Sequence, residues 1–201
     1  GCKTIIITSN GFLGKVKGAI IVKGGMQPRD ALPTMLIPVL RIFGNKDISS
    51  LSGLEDKVDR NIVKELAEKL SSQSIVVYGS NQKLCGLTKI WKMYLNENSK
   101  ILAHTGFLSE ANHNELEANE LDKYNFVLLK DKENPRLEKQ IDFVDKFFNF
   151  IKVELKGDNK LEKLFYGAIL GSFVSREIAS IKGIEFKKID KIEMLKEAMK
   201  K

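Results

Sequence analysis

The alternation of short apolar runs with helical stretches limits what this chain can fold into more than any other feature. "SIVVYGS" (74–80), "FVLL" (126–129) and "KVEL" (152–155) are strand-sized, and a stretch with helical periodicity follows each. In residues 82–97 the apolar side chains fall at 84, 87, 90, 91, 94 and 95, a spacing that gathers them on one helix face. Helices are also expected over 135–151, where Pro135 suits the first turn, and over the long apolar stretch 160–183. Parallel strands need crossovers, and the crossover helices cover the sheet, so this order predicts an α/β fold with parallel layers.

Upstream, 3–8 and 19–22 read as two further strands. Residues 31–44 read as an apolar helix with Pro33 in its tolerated first turn, Pro38 inside and Gly44 as its cap. An amphipathic helix over 54–72 and a last one over 189–201 complete the reading. The expected organisation is a first unit over 1–44, a connecting helical segment over 45–73 and a second unit over 74–201. The first unit has two strands and one helix, less than a full α/β layer. The chain is therefore expected to start inside a domain, and Gly1, which is no translation start, agrees.

Charge and cysteine content exclude several classes. The net charge is +7, but 28 of the 33 basic residues are lysine, and along the helices they alternate with acids. That is the pattern of a solvated face, without the arginine and aromatic stripe of a nucleic-acid reader. An anionic metabolite remains compatible with the positive field. Cys2 and Cys85 are too few for a disulfide framework or a zinc site and read as reduced thiols. The apolar runs are short for a bilayer and no secretory leader is visible, so a cytoplasmic protein without membrane contact is expected.

Two asparagine-rich stretches draw attention. "YLNENSKI" (94–101) sets Glu97 between Asn96 and Asn98 where a helix ends, at the pole that disfavours a carboxylate. "EANHNELE" (110–117) holds His113, one of two histidines. Each pattern fits a solvated terminus or loop as well as half of an active site. Gly79 and Ser80 lie between a strand and a helix, either as a plain turn or as an anion cradle at the helix N-terminus. Arg29 precedes a helix in a loop, and Lys196 is one of several lysines on the terminal helix.

The succession "QPRDALPTML", "YLNENSKI", "EANHNELEANE" and "DKIEMLKEAMKK" resembles the archaeal bifunctional phosphoglucose/phosphomannose isomerase family, over almost the whole chain. The resemblance implies SIS-type, flavodoxin-like α/β/α domains, here one partial and one complete. The family's first third, with its Ser/Thr-rich sugar-phosphate segments, has no counterpart in these residues. It further implies interconversion of glucose 6-phosphate and fructose 6-phosphate, with mannose 6-phosphate as a further substrate, through a cis-enediol. No cofactor and no metal are needed on that route.

By the same resemblance Glu97 is the base that moves the proton between neighbouring carbons, as one carboxylate can. His113 opens the sugar ring from the neighbouring subunit of a homodimer, a task suited to imidazole. Arg29 stabilises the enediolate, Lys196 joins the hydroxyl contacts, and Asn96, Asn98, Gly79 and Ser80 bind or shape the substrate site. The chain departs from the family at Ile189, where a threonine is associated with accepting the mannose configuration, and at Asn112, where a second histidine is frequent. The rival reading is a non-catalytic SIS module that binds a sugar phosphate as a sensor or regulatory partner.

Overall fold

The structure, a computed structural model, describes residues 4–200; Cys2 and Lys3 lie outside the described residues. Two compact units divide between Ser52 and Gly53.

In the first unit β1 (Ile7–Thr8) and β2 (Ile20–Ile21) pair in parallel, with Ile7 opposite Ile20. Each strand is shorter than the apolar run that announced it. A tight turn over Pro28–Ala31 leads into α1 (Leu32–Ile42), which carries Pro38 inside. The helix stops at Gly44 as expected. There the backbone turns left-handed, φ +68°, while the amides of Gly44 and Asn45 donate to the carbonyls of Arg41 and Leu40, each at 3.0 Å. Among the described residues of this unit only Arg29 is buried.

The second unit opens with a 3-10 turn, Leu54–Lys57, and α2 (Arg60–Leu70). The single helix expected over 54–72 is thus broken at Val58 and Asp59, both extended. The Asp59 carboxylate caps α2 by accepting from the Asn61 amide at 2.8 Å. Leu54, Val58, Leu66 and Leu70 are buried, so most of the expected connecting segment belongs to this unit's core.

Four strands follow, all parallel, in the order β4-β3-β5-β6: β3 (Ser74–Gly79), β4 (Ala103–Phe107), β5 (Tyr124–Lys130) and β6 (Ile151–Glu154). The helices are α3 (Cys85–Glu97), the short α4 (Leu108–Ala111), α5 (Pro135–Phe148), α6 (Lys160–Ile181) and α7 (Asp190–Ala198). β4 is an element the sequence pattern did not announce. Its "AHTGF" is broken by Gly106, and the glycine is needed because a Cβ there would stand 2.6 Å from the Tyr78 ring. Helix α5 ends at Phe148, three residues earlier than expected, and the left-handed backbone of its cap Asn149 (φ 49°) turns the chain into β6.

Both faces of the sheet are covered, as a parallel sheet requires. Tyr78, Phe126 and Leu128 face α5, where Ile141, Val144 and Phe148 close one core. Ile75, Val77, Val127 and Leu129 alternate with them and are fully buried on the opposite face, the side of α3 and α6. Helix α6 is long and apolar enough to cross a membrane by length and composition, contrary to the expectation that the chain's apolar runs are all short. Here more than half of its apolar stretch is buried. Gly167 and Gly171, one turn apart, leave the room that Leu87 and Trp91 of α3 fill, and the Trp91 indole N–H donates to the Gly167 carbonyl at 2.8 Å.

Candidate active site

Helix α3 carries Glu97 to its position. Asn81, whose side chain accepts from the Lys83 amide, caps the 3-10 turn Gln82–Leu84 that leads into α3, and the helix buries an apolar face of Leu87, Trp91, Tyr94 and Leu95. It runs back along the sheet from the end of β3 to the start of β4, so Glu97 emerges at the edge where the strands begin. The three residues of "NEN" then divide their work. Asn96 Oδ1 accepts from the Ala103 amide at 2.8 Å and pins the entry to β4. Asn98 is fully buried, and its Nδ2 donates to Ser175 Oγ on α6 at 2.9 Å. Ser99 repeats the tie, with its hydroxyl donating to the Ser175 carbonyl at 2.9 Å. The two amides expected to shape the substrate's surroundings are hydrogen-bonded within the fold and hold Glu97 between them.

Glu97 is half-buried and lines a cleft of about 540 Å³. Lys100, left-handed at φ 56°, also lines it. Its ammonium donates to the Glu97 carbonyl at 2.5 Å and to the Lys188 carbonyl. That second bond ties the α3 terminus to the segment leading into α7. Leu102, Ile189 and Ile192 supply apolar walls. Ile189, the departure from the family pattern, therefore stands in the same cleft as Glu97. Lys196, further along α7, is exposed and outside the lining.

His113 lies elsewhere. It is exposed, in the turn after α4, and its amide donates to the Glu110 carbonyl at 2.9 Å. β4 leads from the Glu97 edge of the sheet to the His113 edge. Its five residues, at about 3.3 Å each, put roughly 16 Å between the two edges. One copy of the chain does not bring these two side chains together.

Gly79 and Ser80 are also at the far edge, where β3 and β5 part and a doubly wound sheet has its crevice. That cradle is filled from within. Ser80 is 2% exposed and its hydroxyl donates to the Glu133 carboxylate, which also accepts from Asn81 Nδ2 at 2.7 Å. Beside it Asp131 meets Lys163 at 2.6 Å. Burial pushes the Asp131 carboxyl up, but the bonds from Lys163 and the Lys132 amide outweigh it and hold the pKa below the ordinary value. Gly79 is packed tightly, since a Cβ there would be 3.0 Å from that of Leu84. Arg29 is fully buried in the first unit. A further cleft of about 690 Å³ beside β6 includes none of the candidate residues.

In the sequence the Asn side chains and Ser80 read as ligand groups. The bonds that occupy them, to Ala103, Ser175 and Glu133, come from partners 7, 77 and 53 residues away. No local pattern announces such partners.

Comparison with known proteins agrees with this architecture. Residues 59–199 match the bacterial phospho-glucose isomerase C-terminal SIS domain. The bifunctional phosphoglucose/phosphomannose isomerase of Thermoplasma acidophilum is 30% identical over 98% of this chain and 67% of its own length. That of Aquifex aeolicus is 32% identical over the whole chain and 69% of its own length. The chain thus spans about two thirds of these relatives. Among solved structures, a glucose-6-phosphate isomerase like protein from Thermus thermophilus superposes with a TM-score of 0.64 at 17% identity, over 86% of this chain and 70% of that one. Glucosamine-6-phosphate deaminase from Thermotoga maritima gives 0.62 at 13%, over 90% and 63%. Sequence and fold together establish that the chain belongs to the bifunctional phosphoglucose/phosphomannose isomerase family, with its C-terminal SIS domain in residues 59–199.

Proposed function

We propose that the chain works as an aldose–ketose isomerase on hexose 6-phosphates, with glucose 6-phosphate and fructose 6-phosphate as its main pair, in the cytoplasm. The observation that carries the reading is the division of labour in "NEN". Asn96 and Asn98 are fastened inside the fold while Glu97 between them lines a cleft. Such bracing is what a proton-transferring base needs, because rate depends steeply on its placement.

Glu97 takes the proton from C2 of the open-chain aldose. The C–H electrons form the C1–C2 double bond as the C1 carbonyl pair moves onto O1, giving the cis-enediolate. The O2 proton then passes to O1, and as the C2 carbonyl forms, the C1–C2 electron pair takes the proton back from Glu97 at C1. A fixed positive charge stabilises the enediolate oxygen, the role that the family resemblance gives to Arg29. His113 moves the proton that opens the ring, with Lys196 beside the hydroxyls. Because Glu97 and His113 occupy opposite edges of one sheet, they work together only between two copies, the His113 loop of one serving the Glu97 cleft of the other. Ile189 narrows that cleft, which favours glucose over mannose configuration.

Glu97→Gln keeps the shape and removes the base. Deuterium uptake from solvent at C2 is expected to fall roughly 10²–10⁴-fold, the usual worth of general base catalysis, with the fold unchanged. Uptake at the wild-type rate would remove Glu97 from the mechanism.

A further inference from the structure

Tyr78 is the next-to-last residue of β3 and is 1% exposed. Its ring is clamped among Phe126, Phe148 and Phe150, at centroid distances of 6.0, 5.8 and 5.8 Å. Gly106, its neighbour in β4, clears the space for it. A phenol held this firmly has its hydroxyl fixed as well, and that hydroxyl donates to Glu115 Oε2. Glu115 is exposed and opens the 3-10 turn Glu115–Glu117, two residues after His113. Leu116 behind it packs against the same aromatic cluster. On the other side, the His113 amide and Asn114 Nδ2 bond Glu110, the latter at 3.0 Å. His113 therefore sits between two fixed points, one of them set by the sheet through Tyr78.

We infer that Tyr78 is a positioning residue: its buried hydroxyl holds Glu115, and so fixes the path by which the His113 imidazole leaves the surface toward a sugar held by a second copy. The stretch from Glu110 to Asp122, ends included, has five acids and no lysine, so like-charge repulsion works against order in this loop. A tether from the rigid sheet opposes it. Burial, and then the Glu115 carboxylate, push the phenol pKa far above its ordinary value, so the donor keeps its proton at any working pH. This inference rests on the ring-opening role of His113, and its test is built so that the two fail separately.

Tyr78→Phe removes the tether and keeps the ring; Glu115→Ala removes it from the exposed end and covers the case in which Tyr78→Phe fails to fold; Glu115→Gln keeps an acceptor. The chain has two histidines, so its imidazole Cε1–H NMR signals are two, with His104 on β4 as the internal reference. In Tyr78→Phe and Glu115→Ala the His113 signal is expected to move and broaden while that of His104 stays. Turnover of the cyclic sugar phosphate should drop roughly 10-fold, the scale of a small misplacement, at nearly constant KM. Open-chain substrate should react as before, and Glu115→Gln should behave as wild type. An unmoved His113 signal in both variants, or equal losses on cyclic and open-chain substrate, overturns the inference. His113→Ala run alongside separates the readings: equal losses there overturn the ring-opening role, while the NMR signals still decide the tether.

Discussion

The two units handle their apolar side chains in opposite ways. From Leu54 onward the chain buries leucine, valine, phenylalanine and tryptophan on both faces of a four-stranded sheet. Among the described residues before Gly53 no apolar side chain is buried, while Phe12 and Phe43 are 80% and 82% exposed and Ile21 is 58% exposed. The apolar content of the two stretches is similar; the number of paired strands is not. Two strands of two residues each offer no face wide enough for α1 to close, and a sheet that small is marginal by itself. Exposed apolar side chains in this number mark a surface that meets another surface.

The comparison breaks most severely at Trp91. Trp91→Ala should destabilise the second unit by about 3–5 kcal/mol, the usual cost of emptying a fully buried aromatic site. Replacing Phe12, Ile21 and Phe43 together by serine should leave the unfolding midpoint nearly unchanged and reduce self-association in light scattering. A large loss of stability from the triple replacement would mean that those side chains are packed after all. Next in size is Asn98→Ala. Losing its bond to Ser175 inside the fold should cost about 1–3 kcal/mol, read from denaturant midpoints. Unlike a simple core defect, it should also lower kcat, because Glu97 loses one of its two braces.

Much of the second unit was legible because its signals are local. The spacing 84, 87, 90, 91, 94 and 95 announces α3, and Pro135 marks the start of α5. What escaped depends on partners distant in sequence. β4 carries a glycine demanded by Tyr78, and Ser80 looks like an anion ligand until Glu133 is seen to occupy it. The break at Val58 was hidden because Leu54 continues the apolar stripe from a different turn. For the site, the residues of "NEN" stood out in the sequence, but only the fold shows that two of them face inward. The opposite-edge placement of Glu97 and His113 follows from the direction of α3 and β4, which composition cannot supply.

The smallest effect concerns the occupied crevice. Asp131 has its pKa lowered in the fold, so its contribution to stability is present above the ordinary carboxylate range and lost as pH falls through the folded value. Both partners are partly exposed, and solvent screening limits the contribution to about 0.5 kcal/mol. Lys163→Met should make stability flatter below about pH 4 in acid titrations followed by circular dichroism. An unchanged acid profile would mean that the pair contributes nothing measurable.

Mixing two inactive variants tests whether Glu97 and His113 meet between copies. Glu97→Gln and His113→Ala are each expected to be nearly inactive on cyclic substrate. In a two-fold dimer, half of randomly exchanged pairs are mixed, and each mixed pair carries one site with both residues intact. Unfolding the two variants together and refolding them should therefore restore about a quarter of wild-type turnover. If the mixture stays as inactive as its components while mixed dimers are demonstrated by mass spectrometry, the two residues act within one copy and the account is wrong.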